Sequence, residues 1–385
     1  MISNQYAIYM YTLIKKDDKT RARLGSFSTP HGMIDTPNFM PVGTIGAVKT
    51  LSADEVRKAG TQIMLSNAYH LLLRPGPDTI KSAGGLHKWI NWPGPILTDS
   101  GGFQIFSLSR LRRIKDDGVE FRSHIDGASF FLTPESAVGF QLLLGSDIMM
   151  ALDECLPYPC TRDYAIRSMD LTAGWAARGK NSFIKEISAG NIFPTPDSSL
   201  FGIIQGGTYL DLRRQSAGQI TGIGFDGYAL GGLSVGEPRE LMYEILDNTV
   251  PLMPDDKIRY LMGVGTVEDI FESVQAGIDI FDCVVPTRNA RNGLAFTCFG
   301  KVRIRNARYK NDYSPIDPSC GCDCCRYYTR SYIHHLFNIN EIFGLKLLSL
   351  HNVTFYATLM KNIRESISNG NFCEFKKEFL GIYAG

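Results

Sequence analysis

Tyr260-Leu261-Met262-Gly263-Val264-Gly265-Thr266-Val267-Glu268-Asp269 opens the stretch that decides the fold, and Ile278-Asp279-Ile280-Phe281-Asp282 closes it. Arg259–Val264 is an apolar run of strand length. Thr266 with Val267, Glu268 and Asp269 is a helix start, and the helical pattern carries to Ala276. A second apolar run, Ile278–Phe281, ends in Asp282. Strand, helix, strand in so short a span predicts a βαβ unit with parallel strands.

Outward from that unit the same rhythm recurs. Further apolar runs are Asn38–Val42, Gln62–Ser66, Ile96–Thr98, Asp147–Leu152, Leu200–Ile204 and Tyr228–Leu230, which with the two above make eight. Helix signals lie between them: Ser52 before Asp54–Ala59, Thr133-Pro134-Glu135 before a run to Leu144, then Arg162–Arg178, Leu210–Ile220 and Glu237–Asp247. Eight strands alternating with helices predict an α/β fold, a (β/α)8 TIM barrel. Its reactive mouth is built from C-terminal strand ends, which here carry Asp99, Asp153, Gln205, Gly231 with Gly232, Met262 and Asp282. One aspartate in such a place is commonly a cap for the next helix. Three, with a glutamine and a glycine pair, favour a convergent site.

The chain has 385 residues, 44% hydrophobic, 21% charged and 11% aromatic, enough for one large barrel core and an appendage. Its net charge of +1 provides no global basic field, so a nucleic-acid partner would need locally concentrated charge. The apolar stretch Tyr6–Ile14 is too short for a membrane span and reads as a strand; no later segment is longer, which points to a cytoplasmic protein. Local basic charge does exist. Residues 283–311 contain no acid but include Arg288, Arg291, Lys301, Arg303, Arg305, Arg308 and Lys310, and Arg110, Arg112, Arg113 and Lys115 follow the third strand. Both groups are expected near the mouth, where they would bind phosphate. Alternation in Val302-Arg303-Ile304-Arg305 also fits a half-buried surface strand.

Four of the nine cysteines, Cys320, Cys322, Cys324 and Cys325, fall within six residues, which suggests metal ligation. Three thiolates and an imidazole make a closed structural zinc site. Cys320, Cys322 and Cys325 fit a C-x-C-x2-C hook, although Cys324 could replace Cys325 on spacing, and His334 and His335 compete with His351 as the nitrogen ligand. Helical patterns at Tyr327–Ile342, Asn352–Asn369 and Phe372–Phe379 complete the chain. The expected organisation is one domain over 1–385, with barrel elements in 15–285, a zinc-binding subdomain in 300–351 and closing helices in 352–385.

Several blocks together resemble the tRNA-guanine transglycosylase family of bacterial type. They are Thr98-Asp99-Ser100-Gly101-Gly102-Phe103-Gln104, Ala151-Leu152-Asp153-Glu154-Cys155, Gly202-Ile203-Ile204-Gln205-Gly206 and Gly231-Gly232-Leu233-Ser234-Val235-Gly236-Glu237. Tyr260–Gly265, Phe281-Asp282-Cys283-Val284-Val285-Pro286-Thr287-Arg288 and the cysteine hook continue the likeness, from the second strand to the C-terminal part.

The resemblance implies exchange of guanine at the wobble position of G-U-N tRNAs, the aspartate, asparagine, histidine and tyrosine acceptors, on the route to queuosine. It implies Asp282 as nucleophile and Asp99 as general acid/base. Asp153, Gln205 and the main chain at Gly232 and Leu233 would read the base edge, with Ser100 and Gly231 in the same pocket. Phe103 and Met262 would sandwich the base, and Arg288, Arg291 and Gly263 would face the RNA. Cys320, Cys322, Cys325 and His351 would hold the zinc ion, and a homodimer is implied. Cys155 and Val235 resemble the form that inserts 7-aminomethyl-7-deazaguanine (preQ1), a bulky Val235 leaving less room for queuine; Ser234 departs from the Ala of some bacterial members.

Two other classes compete. A non-catalytic, zinc-containing tRNA-binding subunit could dispense with the nucleophile, yet Asp99 and Asp282 are both present. A TIM-barrel metallohydrolase would need histidines at several strand ends, and these ends carry none.

Overall fold

A computed structural model of the chain describes residues 11–108, 112–190 and 197–383. All eight apolar runs are strands of one sheet: β1 Asn38–Pro41, β2 Met64–Ser66, β3 Ile96–Thr98, β4 Ile148–Met150, β5 Ser199–Ile204, β6 Gly227–Leu230, β7 Ile258–Leu261 and β8 Ile280–Cys283. Their order is β1-β8-β7-β6-β5-β4-β3-β2, and every neighbouring pair is parallel. Between β1 and β2 the ring is closed by a single bridge, Val42 to Leu65, with the Gly43 N–H donating to the Leu65 carbonyl at 2.7 Å. Parallel strands enclosed by helices are buried on both faces, which is why they read as unbroken apolar runs.

Local chemistry sets the helix starts. Ser52 caps Ala53–Lys58 in a capping box with Glu55, Thr133 caps Pro134–Leu144, and Thr266 caps Val267–Ala276. Arg162–Ser188, Leu210–Ile223 and Arg239–Thr249 complete the outer layer between β4 and β7. None of the helices is long and apolar enough to cross a membrane, among the described residues.

The N-terminal end of the barrel is plugged by an antiparallel sheet, Tyr11–Lys16, Arg23–Thr29 and Gly32–Thr36. Tyr11 lies inside the strand expected at Tyr6–Ile14, whose first residues are outside the described ones. Tyr11, Phe27 and Ile34 join Met40, Ile148, Phe201 and Ile280 in the core that fills the barrel. Two aspartates at N-terminal strand ends fasten the plug. Asp279, before β8, receives the Arg23 Nε–H at 2.8 Å, the Tyr11 hydroxyl at 3.1 Å and the Arg259 N–H at 2.6 Å. Asp147, before β4, receives the His31 and Ile96 N–H groups and contacts both the His31 and His87 rings.

Two regions differ from the sequence reading. Between β3 and β4 stands a three-stranded antiparallel sheet, Arg112–Lys115, Gly118–Arg122 and Ser129–Leu132, where only a basic cluster was expected. Arg112, Arg113 and Lys115 lie exposed on its first strand, and Arg110 is outside the described residues. In the appendage, the helix expected over Tyr327–Ile342 breaks at Tyr328. Thr329 caps a new helix, Arg330–Asn338, with its side chain accepting from the Tyr332 N–H. A single helix, Ile342–Asn369, then runs back along the barrel and is followed by Phe372–Tyr383.

Removing Asp279 leaves the fully buried Arg23 guanidinium without a counter-charge. Asp279→Ala is expected to lower unfolding stability by roughly 3–5 kcal/mol. Urea denaturation followed by circular dichroism measures it; a loss under about 1 kcal/mol would mean that the plug is not held this way.

Candidate active site

The mouth is assembled from residues just past the C-terminal ends of the strands. Asp99 follows β3 and is buried. The Asn67 side-chain amide donates to its Oδ2 at 2.5 Å and the Ala68 N–H to its Oδ1 at 2.9 Å. Burial pushes the Asp99 carboxyl up to about 6; hydrogen bonds from Asn67, Ala68 and Gln104 restrain the rise, and the nearby Asp282 charge adds to it.

Asp282 lies in β8, where it pairs in register with Met40 of β1. One oxygen, Oδ1, accepts the Tyr260 hydroxyl at 2.6 Å and the Gly263 N–H at 2.8 Å. Neither donor engages Oδ2. Burial raises this carboxyl as well, against the pull of both hydrogen bonds. The arrangement is that of a carboxylate fixed through one oxygen and free to react through the other.

Asp153 and Gln205, just past the ends of β4 and β5, are both buried and meet side chain to side chain. The Gln205 Nε2 donates to Asp153 Oδ2 at 2.7 Å, and burial pushes Asp153 up to about 6. Gln205 Oε1 is buried with no hydrogen-bond partner among the described residues, an acceptor available to a ligand N–H. Two glycines let the backbone approach these side chains closely. A Cβ on Gly232 would sit 2.5 Å from Gln205 Oε1, and one on Gly102 would sit 2.6 Å from the Asp153 carbonyl. Leu233 buries its side chain in the outer core, so only its main chain is available to a ligand.

Phe103, 48% exposed, lies in the helix Gly102–Leu108 that follows β3, and the half-buried Met262 directly follows β7 and packs against the barrel core. Ser100 is buried and its hydroxyl accepts weakly from the Gly102 N–H at 3.4 Å. Cys155 is buried too, and burial pushes its thiol up to about 12, so it is no nucleophile. Arg288, exposed, and Arg291, half-buried, share the helix Val285–Arg291 that directly follows β8. Gly263, expected to face RNA, is exposed, but its N–H is spent on Asp282.

Sequence reasoning missed four contributors. Tyr260 and Asn67 hold the two carboxylates. Glu237 accepts the Ser234 and Val235 N–H groups at 2.5 and 3.0 Å. Arg213 lies beneath the Gly231–Gly232 turn. Tyr260 and Asn67 carried no signal beyond their position at strand ends. Arg213 did carry one, as a charged residue on the apolar face of a periodic helix.

Away from the mouth, the ligand atoms of Cys320, Cys322, Cys325 and His351 all lie within 4.8 Å of one another, a possible metal site. His351 Nε2 meets the Phe296 carbonyl at 2.7 Å, which fixes its proton there and leaves the Nδ1 lone pair facing the Cys322 and Cys325 sulfurs at 3.8 and 3.3 Å. Cys324 is buried in the surrounding core, outside the cluster. His334 is taken by the Ile304 carbonyl and Asn338, and His335 is exposed. A second group, His31, His87 and Asp147, also has metal-ligand spacing. Its rings stack face to face at 3.6 Å, and its carboxylate already accepts two backbone N–H groups, so it serves as a hydrogen-bonded knot.

A family model described as queuine tRNA-ribosyltransferase matches residues 17–385. Proteins named queuine tRNA-ribosyltransferase are similar over nearly their whole length. That of Pelotomaculum thermopropionicum is 52% identical over 375 residues, 97% of this chain and 99% of its own. That of Caldanaerobacter subterraneus subsp. tengcongensis is 54% identical over 379 residues, 98% and 99%. That of Halothermothrix orenii is 54% identical over 373 residues, 97% of each.

The purified chain is expected to carry a divalent metal ion, and His351→Ala to lose it. Elemental analysis reads the content and thermal unfolding reads the consequence, a lowered transition temperature. An unchanged transition in metal-free protein would rule out a structural role for the cluster.

Proposed function

The chain belongs to the queuine tRNA-ribosyltransferase family, and from that premise we propose that it exchanges guanine at the wobble position of G-U-N tRNAs for preQ1 through a covalent Asp282–ribose intermediate. The observation that carries this reading is the pair of carboxylates at the mouth, Asp99 buried and Asp282 half-buried. Asp282 is held by neutral donors through one oxygen, and Asp99 lies close enough to feel its charge.

In the proposed reaction the target nucleotide is flipped out of the anticodon loop, since a stacked base cannot be displaced. Asp153, Gln205 and the main chain of Gly231–Leu233 read the base edge, with Ser100 in the same pocket. The ring lies between Phe103 and Met262. An Asp282 oxygen attacks C1′ as the C1′–N9 bond breaks, and the bonding pair leaves with guanine, whose N9 takes up a proton from solvent. The incoming base loses its N9 proton to Asp99, attacks C1′ and displaces Asp282, and Asp99 returns that proton to solvent. Two inversions retain the β-configuration and no net proton is consumed, the logic of a retaining glycosidase with a base in place of water.

Arg288, Arg291 and the exposed cations Lys301, Arg303, Arg305, Arg308 and Lys310 would bind the phosphates, with Gly263 at the nucleotide. We read the metal as zinc, which matches a three-thiolate, one-imidazole donor set. A bound zinc ion would supply folding energy to the 300–351 subdomain of a single 1–385 domain. A homodimer fits the exposed Tyr327, Tyr332 and Ile342 on the appendage, and a tRNA substrate fits a cytoplasmic location. The half-buried Val235 supports preQ1 over the larger queuine, whereas the relatives' name favours queuine as the alternative incoming base.

Wild-type protein should incorporate radiolabelled guanine into an unmodified G-U-N tRNA, and Asp282→Asn should lose at least about a thousandfold in rate. No incorporation by folded, metal-loaded wild type would sink the enzymatic reading and leave the tRNA-binding subunit. Competition of preQ1 against queuine in the same assay decides the base. The pH profile is a second test. Both carboxylates act ionised and burial raises both, so kcat/KM should fall as pH drops through about 6, the Asp99 value, and not only near the ordinary ~4. An acid limb centred near 4 would contradict the desolvated pair.

A further inference from the structure

Arg213 is a fully buried cation with no ion-pair partner among the described residues. It lies on the inner face of Leu210–Ile223 with Leu212, Ser216, Ala217 and Ile220. Its guanidinium donates only to carbonyls among the described residues: Nε to Gly207 at 2.7 Å, Nη1 to Ile204 at 3.0 Å and Gly231 at 2.8 Å, and Nη2 to Gly232 at 3.4 Å. Burial brings it down to about 10, with Glu237 the leading charge that opposes the fall, so it stays charged at neutral pH. A helix face in a barrel layer needs only apolar volume. A desolvated guanidinium there calls for another explanation.

The explanation is in what it grips. The four carbonyls belong to the end of β5, the Gly206–Gly207 turn and the end of β6, the segments that carry Gln205 and the Gly231–Leu233 main chain. Gly207 and Gly232 have φ of 58° and 65°, and glycines have little preference of their own to hold such a turn. A planar fork of donors fixes several carbonyls at once, as an ammonium cannot. Peptide geometry supplies the rest. In a trans peptide the C=O and the following N–H point in opposite directions. Drawing the Gly231 and Gly232 carbonyls onto Arg213 therefore turns the Gly232 and Leu233 N–H groups away from it. Glu237 secures the other end of the same loop through the Ser234 and Val235 N–H groups.

We propose that Arg213 is the positioning residue for base recognition: it orients the Gly231–Gly232 peptides so that the Gly232 and Leu233 N–H groups, with Gln205, present one fixed donor–acceptor edge to the purine. This role rests on the base-exchange reading. It assigns Arg213 to affinity for the base and not to binding of the RNA.

Steady-state guanine exchange by Arg213→Lys and Arg213→Gln tests it. KM for guanine should rise between about tenfold and a hundredfold, the cost of misplacing recognition groups by about an ångström. KM for tRNA should rise several-fold less than KM for guanine, because phosphate contacts outside the pocket carry much of the tRNA binding. Because KM does not depend on the active fraction, partial misfolding cannot imitate this split. Arg213→Ala, which leaves a guanidinium-sized space, should regain base affinity in dilute guanidinium chloride but not in sodium chloride of equal strength. A folded variant with unchanged KM for guanine overturns the assignment. So does failure of all three variants to fold, which would make Arg213 a scaffold residue. Wild type in the same assay separates the readings: no exchange by wild type removes the base-exchange reading itself, whereas exchange by wild type with an unmoved KM in the variants removes only the role of Arg213.

Discussion

Three carboxylates, Asp99, Asp153 and Asp282, are held at the mouth of the barrel with no cation among their hydrogen-bond partners in the described residues. The rest of the site depends on that constraint. The same strands show the alternative at their other ends. β8 begins beside Asp279, paired with Arg23, and β4 begins beside Asp147, bracketed by two histidines. One face of the barrel ties its aspartates into an ion pair with Arg23 and hydrogen bonds with two histidines. The other leaves them with neutral donors, and burial then dominates their chemistry. Asp99 and Asp153 near 6, against about 4 in an unfolded chain, cost on the order of 3 kcal/mol each at neutral pH. The sign follows from their raised values. The native state holds more protons between about pH 4 and 6, so this cost is absent below that window and complete above it. The mouth therefore lowers the stability of the fold at neutral pH, as sites kept for function commonly do.

Legibility in the sequence followed burial. The eight strands are enclosed on both faces, so each is an apolar run with few polar interruptions, and all eight were readable. Helix starts were readable because a cap is a local event, as at Thr133 and Thr266. The sheet from Arg112 to Leu132 was not. It is half solvated, and Arg112-Arg113-Ile114-Lys115 reads as charge more readily than as strand. At the site, strand-end position alone pointed to Asp99, Asp153, Gln205 and Asp282. It could not point to Tyr260 or Asn67, whose contributions depend on which oxygen they reach from the neighbouring strand.

The cysteine hook shows the same limit at finer scale. Spacing left Cys324 and Cys325 equivalent. Cys322 caps the helix Asp323–Tyr327, so Cys325, three residues on, returns to the same side, whereas Cys324 projects into the core. A difference of about 100° around one helical turn separates a ligand from a packing residue, and no count along the chain expresses it.

The hook also reaches the mouth mechanically. His351 belongs to Ile342–Asn369, and its neighbour Asn352 donates to the Pro286 and Leu294 carbonyls while accepting the Phe296 N–H. Pro286 lies in the helix that carries Arg288 and Arg291, directly after Asp282. One turn further along, the Tyr356 hydroxyl donates to the Gly265 carbonyl at 2.6 Å, two residues from the Gly263 N–H that holds Asp282. One long helix, anchored at its middle by the Cys3His cluster, therefore braces both segments that flank the Asp282 carboxylate. A site that performs no chemistry can in this way govern the geometry of one that does. Loosening the hook would be felt first at the Gly263 N–H that holds Asp282 and at the helix that carries Arg288, which follows that carboxylate directly.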